Sequence, residues 1–181
     1  MWRSVAEQMR SAFFERSPPM STDASYTNVA VHIRRGDTLR GATALKRHMG
    51  PAMLHYFRRV VEKLRSRYAA TPRPARFTLV SDERNGSALL EVLGGADVAL
   101  SSSPTPFEDF RRMVAADVLA ISPSGFSLVA AYLNRGKVVA PACMETRPGW
   151  DSPHAYSIGL RALPEWELAE CCPWRHDQDW C

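Results

Sequence analysis

A histidine and two arginines close a β-branched run, Thr27-Asn28-Val29-Ala30-Val31-His32-Ile33-Arg34-Arg35-Gly36-Asp37. Two adjacent cations repel unless something anionic sits between or beside them. A diphosphate suits that role, because guanidinium groups grip phosphate oxygens as planar, bidentate forks. Side chains alternate along a strand, so His32 and Arg34 share one side, and Arg35 and Asp37 sit in the loop that leaves at the Gly36 turn. The structural alternative pairs Arg34 with Asp37 or another carboxylate and makes His32 a hydrogen-bonded core residue. Finding these residues together at one strand end favours the anion. Arg35-Gly36-Asp37 also spells an adhesion tripeptide, but three residues recur too often by chance to carry weight.

Two more segments have the same character. Ser81-Asp82-Glu83 comes after the apolar run Phe77-Thr78-Leu79-Val80. Asp82 there either accepts hydrogen bonds from a base edge or ribose hydroxyl, or caps the next helix. Ser122-Pro123-Ser124-Gly125-Phe126-Ser127 leads into an apolar stretch of helical period. Hydroxyls and unpaired N–H groups at a helix start make an anion site, and Gly125 lets backbone come close to a ligand. One serine suffices for capping, so the surplus points to binding, although Ser and Gly are also common in tight turns.

The elements that position these segments can be read from periodicity. Trp2, Val5, Met9 and Phe13 fall on one face of a helix over 2–14, expected to dock on the adjoining domain. A turn-rich linker over 17–25 precedes a buried strand over 27–33, and a polar loop runs from Arg34 to about Gly50. Pro51 suits a first helical residue, and Met53, Phe57, Val60, Val61, Leu64 and Tyr68 continue that helix. Strands are expected over 76–81, 97–101, 117–122 and 137–142, and helices over 87–95, 106–116 and 126–134. Strand and helix alternate with short connections, and the strands are continuous apolar runs. That pattern describes an α/β, doubly wound, mainly parallel Rossmann-like sheet of about five strands, covered on both faces. Such sheets bind ligands beyond the carboxyl ends of their strands, where all three segments lie. The expected organisation is an N-terminal helix and linker over 1–26, the sheet domain over 27–143, and an irregular Trp/Cys-containing tail over 144–181.

The three strand-end sequences resemble a known family. VAVHIRRGD resembles the H-x-R-R-x-D motif of the α1,2-, α1,6- and protein-O-fucosyltransferase superfamily. FTLVSDE is similar to its serine-aspartate motif, and FRRMVAADVLAISPSGFSLVAAYLN to its third, over about residues 27–142 in matching order. The resemblance implies the donor-binding, carboxyl-terminal half of a two-domain glycosyltransferase that inverts at the anomeric carbon with neither metal nor other cofactor. Its donor would be GDP-fucose or another nucleotide sugar, and its acceptor a glycan or protein. By that resemblance Arg34 holds the β-phosphate and stabilises the leaving GDP, Arg35 assists, and His32 contacts nucleotide or phosphate. Asp82 reads the guanine or ribose side, with Ser81 beside it. Ser124 and Ser127 reach the diphosphate, in a turn completed by Ser122, Gly125 and Phe126. Asp37 orients Arg35 or the acceptor, or serves as base. Two departures stand out. An acceptor half would lie upstream of Met1, and Gly125 stands where relatives often carry a hydroxyl. The alternative reading is a non-catalytic nucleotide-sugar or anion-binding module.

Composition sets the outer bounds. The chain has 181 residues, 45% hydrophobic and 23% charged, with a formal charge of +4. This suits one globular domain and excludes wholesale disorder. No run approaches the roughly 18 apolar residues of a membrane span, so no membrane contact is expected from this segment. Only Lys46, Lys63 and Lys137 of the 23 basic residues are lysines. The arginine excess reflects either anion binding or codon bias, and the interspersed acids argue against nucleic acid. No P-loop or G-x-G-x-x-G occurs, which disfavours other phosphate-handling enzymes. Cys171, Cys172, His176 and Cys181 have metal-ligand types but poor spacing. They are read as a Cys172–Cys181 disulfide or as free thiols, with no metal. The compartment is set by the resemblance: the Golgi lumen if the chain belongs to a longer secretory-pathway enzyme, otherwise the cytoplasm.

Overall fold

The computed structural model describes residues 2–18, 20–35, 44–82, 86–122, 124–141 and 166–169. In chain order the elements are α1 (Trp2–Arg16), β1 (Thr27–Ile33), α2 (Ala44–Tyr68), β2 (Ala75–Ser81), α3 (Ser87–Leu93), β3 (Val98–Leu100), α4 (Pro106–Ala115), β4 (Val118–Ala120), α5 (Gly125–Leu133), β5 (Lys137–Pro141) and β6 (Trp166–Ala169). All strand pairs are parallel, in the order β3-β2-β1-β4-β5-β6. This is the Rossmann order, in which the direction of winding reverses between β1 and β4.

Strand alternation divides the core into two layers. Val29, Val31 and Ile33 of β1 join Phe77 and Leu79 of β2 beneath α2 and α3, against Tyr56, Phe57, Val61 and Leu89. Ala30, Val80, Leu119, Ile121 and Val138 face the other way, onto Met113 and Val114 of α4 and Leu128, Ala130 and Ala131 of α5. β1 is therefore buried on both faces, as its apolar run requires. His32 lies opposite Val80 in the ladder and belongs to the α4/α5 side.

The termini of α4 and α5 show how sequence stops and starts these helices. Thr105 accepts from the Glu108 N–H (3.2 Å), Pro106 is the first helical residue, and Glu108 and Asp109 fill the positive first turn. Asn134, fully buried at the end of α5, donates through Nδ2 to the carbonyls of Met113, Val114 and Ala116 at 3.0, 3.1 and 2.8 Å. Its Oδ1 accepts from the Gly136 N–H at 2.7 Å. At Gly136 a Cβ would lie 2.2 Å from the Asp117 carbonyl, so only glycine permits this approach of the α5–β5 turn to β4.

Four findings differ from the sequence expectation. The tail is not wholly irregular, because Trp166–Ala169 adds a sixth parallel strand beside β5. Four residues in a Pro- and Trp-rich stretch are too few to reveal a period. Helix α2 starts at Ala44 rather than Pro51. Proline favours a first helical turn but does not by itself fix the start, and seven helical residues precede Pro51 despite the lost backbone bond and the crowding of the carbonyl four residues back. Helix α1 docks through Phe13 as its apolar spacing suggested, but Val5 and Met9 of that face do not dock. Ala6 and Arg10 are buried with Phe13 and Phe14 packed on the core, while Val5 and Met9 are exposed. Arg10 decides this orientation by donating to the Tyr132 carbonyl (3.0 Å) and the Asn134 carbonyl (2.8 Å), where the α5 dipole is negative. Finally, several arginines hold the scaffold together. Arg65 forks onto Asp97 at 2.7 and 2.9 Å, Arg73 reaches Asp117, and Arg76 reaches Asp23.

Among the described residues, no helix is long and apolar enough to cross a membrane. Replacing Asn134 by alanine removes the amide group that serves three carbonyls at the buried α4 terminus. Urea unfolding should show a loss of roughly 2–4 kcal/mol with an unchanged denaturant slope. A loss below about 0.5 kcal/mol, within the range of ordinary surface changes, would contradict this role.

Candidate active site

The helices connected to β1 and β4 cover opposite faces of the sheet, and in such folds a crevice forms at the carboxyl ends of the two neighbouring strands. A cleft of about 300 Å³ opens there. It is lined by His32 and Arg34 from the end of β1, Val80, Ser81 and Asp82 from the end of β2, Pro106 and Asp109 from the start of α4, and Ser124 and Phe126 from the start of α5.

Each polar group is held by the segment beside it. The Ser81 hydroxyl donates to the Ile33 carbonyl at 2.7 Å, and Asp82 Oδ1 accepts from the Arg35 N–H at 2.7 Å. These two bonds fasten the chain leaving β1 to that leaving β2. Ser101, just past β3, donates to Asp109 Oδ1, and the Ser103 N–H returns to Ser101 Oγ at 3.3 Å. His32 Nδ1 and Ser122 Oγ are 2.9 Å apart, directly across the reversal of strand order. The His32 ring packs at 5.6 Å on Phe126, whose other neighbour is Phe110 at 5.5 Å.

His32 is only 5% exposed, and burial pushes its pKa down to about 4. The nearby charge of Arg34 acts in the same direction, while Asp82 and Asp109 partly oppose it. The cleft therefore holds a neutral imidazole and a half-buried guanidinium near two carboxylates. Such a site offers hydrogen-bond donors to an anionic group and acceptors to N–H or O–H groups on the same ligand.

Of the residues singled out from sequence, His32, Arg34, Ser81, Asp82, Ser124 and Phe126 meet in the cleft. Arg35 is outside its lining and contributes the backbone bond to Asp82. Ser127 was expected to reach a diphosphate, but its buried hydroxyl bonds back to the carbonyls of Ser122 (3.0 Å) and Ser124 (3.3 Å). A serine in a first helical turn readily satisfies nearby backbone in this way. Ser122 is likewise buried behind the lining. Asp82 does not cap α3, whose N-cap is Gly86, so its capping alternative falls away. Around Gly125 an added Cβ would meet nothing within 4 Å. Asp37 and the cysteine-rich tail lie outside the described residues. Among those described, no group of three or more His, Cys, Asp or Glu could hold a metal ion.

Sequence reasoning missed Asp109, together with Pro106 and Val80. A signal was present. Thr105-Pro106 marks a helix start after a strand, and first-turn residues of such a helix lie at the carboxyl edge of the sheet.

Two measurements test this geometry. An imidazole kept neutral in the folded state protonates on unfolding, so stability must fall as pH drops from about 6.5 toward about 4 and be fully present above 6.5. The loss due to His32 should be on the order of 3 kcal/mol. His32→Asn should flatten the unfolding free energy over that window, and an unchanged slope would contradict the account. Gly125→Ala should fold normally and gain roughly 0.4–1 kcal/mol, since its backbone is compatible with alanine. Clear destabilisation in thermal melts would show that the space is not open.

The cleft residues and the sheet that carries them have a counterpart among known proteins. The sequence model of the family described as "Glycosyl transferase family 11" matches residues 16–152, a span that includes β1 to β5 and every residue lining the cleft. No curated protein and no solved structure matches significantly. The family match covers most of the chain and agrees with its strand-end motifs and doubly wound sheet. The chain belongs to glycosyl transferase family 11, the α1,2-fucosyltransferase family, within the fucosyltransferase superfamily.

Proposed function

We propose that the cleft binds GDP-fucose and that the chain transfers the sugar, with inversion and without a metal, to a hydroxyl of a glycan or protein acceptor. The observation that carries this reading is the meeting of Arg34, His32 and the Ser124–Phe126 helix start in one cleft at the reversal of strand order. In the reaction the acceptor oxygen bonds to the anomeric carbon as the bond to the β-phosphate oxygen breaks. The electron pair leaves on GDP, and the acceptor proton passes to a base.

Negative charge thus grows on the β-phosphate, where Arg34 is assigned the stabilising role. A half-buried guanidinium stabilises this charge more than an exposed one does, because less water screens it. Ser124 and the N–H groups that open α5 support the diphosphate. Asp82 and Asp109 are assigned to the donor groups of the ribose or base. Asp37 is assigned to orient Arg35 or the acceptor.

Calorimetric titration with GDP-fucose tests the assignment of Arg34. A lost charge-assisted contact of about 1.5–3 kcal/mol predicts binding by Arg34→Ala weakened roughly ten- to a hundredfold. Equal affinity in the variant, or a folded wild-type protein that binds nothing at millimolar donor, would refute the proposal.

A further inference from the structure

Ser122 does not touch the cleft, yet its hydroxyl has only one described purpose. The residue is fully buried, and Oγ meets His32 Nδ1 at 2.9 Å. The separate carbonyl of Ser122 accepts from the Ser124 N–H (2.8 Å) and the Ser127 hydroxyl (3.0 Å). Among the described residues, His32 Nδ1 is the one acceptor available to the Ser122 hydroxyl proton.

This restriction chooses between two arrangements. A neutral imidazole has one N–H and one bare nitrogen, while a hydroxyl has one proton and can also accept. If Nδ1 carried the proton and donated to Oγ, the hydroxyl proton would be sealed in the interior with no acceptor among the described residues. A buried donor left in that state disfavours the arrangement by roughly tenfold or more. If the hydroxyl donates to Nδ1, both groups are satisfied and the ring proton resides on Nε2. Nε2 bonds to no described protein atom, and His32 lines the cleft.

We propose that Ser122 is a positioning residue that holds His32 as its Nε2–H tautomer, so that His32 donates a hydrogen bond to an anionic oxygen of the bound diphosphate. The depressed pKa of His32 keeps the ring neutral at pH 7 despite Asp82 and Asp109 nearby, as a single tautomer requires. Arg34 and His32 then supply donors to the cleft, while Asp82 and Asp109 supply acceptors, so one ligand with both a diphosphate and a hydrogen-bonding base or ribose can satisfy both kinds.

This inference rests on reading the cleft as a nucleotide-diphosphate site, and the test separates the two. Nitrogen NMR of protein labelled with ¹⁵N-histidine, with His32 assigned by comparison with His32→Asn, should show a protonated Nε2 and a bare Nδ1 at pH 7. Titration with GDP should show affinity reduced about tenfold in Ser122→Ala and restored in Ser122→Thr, which keeps the hydroxyl. A protonated Nδ1 in the wild-type protein overturns the proposal, and so does a Ser122→Ala variant that binds GDP as tightly as wild type. If wild type binds no GDP, the diphosphate reading and the donor role of His32 fail together. The wild-type ring shifts still decide the tautomer, whether or not any Ser122 variant folds.

Discussion

A buried hydrogen bond between His32 and Ser122 joins β1 to the end of β4 across the line where the sheet changes its direction of winding. Helix α2 packs on one face of the sheet and α5 on the other, so the helices that follow β1 and β4 diverge from the line between these strands. A crevice at strand ends is where the backbone amides of a helix start, side chains of two strands and solvent can meet. The cleft is thus a consequence of topology. His32–Ser122 fixes the distance across it, and the bonds from Ser81 to Ile33 and from Arg35 to Asp82 fix it laterally.

The rest of the molecule holds those strand ends steady. Phe126 sits between His32 and Phe110, and Phe110 packs against Phe13 of α1 at 5.8 Å, so aromatic contacts extend from the cleft wall to the first helix. Asn134 gathers the end of α4, and Arg10 gathers the end of α5, both through carbonyls that helix geometry leaves without intrahelical partners. These polar contacts are buried and hydrogen-bonded, which suits rigid support for a site more than it suits ligand exchange. Arg65, Arg73 and Arg76 make half-exposed ion pairs, whose individual contribution to stability is small.

Much of this was legible in the sequence because parallel strands buried on both faces leave short apolar runs, as Val29-Ala30-Val31 does in β1. His32, Arg34, Asp82 and Ser124 could be found from their positions at the carboxyl ends of such runs. A serine in a first helical turn can face either ligand or backbone, spacing does not distinguish them, and the Ser127 hydroxyl bonds to backbone. Asp109 was overlooked because an acidic residue there already has a reason to exist, the helix dipole. The apolar spacing of α1 points to Phe13 but not to Arg10, whose buried bonds to carbonyls at the end of α5 turn Ala6 inward and leave Val5 and Met9 exposed. β6 was invisible because four residues carry no measurable period.

If the cleft is built for a diphosphate, the second phosphate must contribute directly to binding, because Arg34 and His32 are assigned to it. Parallel titrations with GMP and GDP at one ionic strength isolate that contribution with nucleoside and base held constant. The account predicts that GDP binds at least tenfold more tightly than GMP, and that the margin shrinks as salt screens the guanidinium. Equal affinities for the two nucleotides would contradict it.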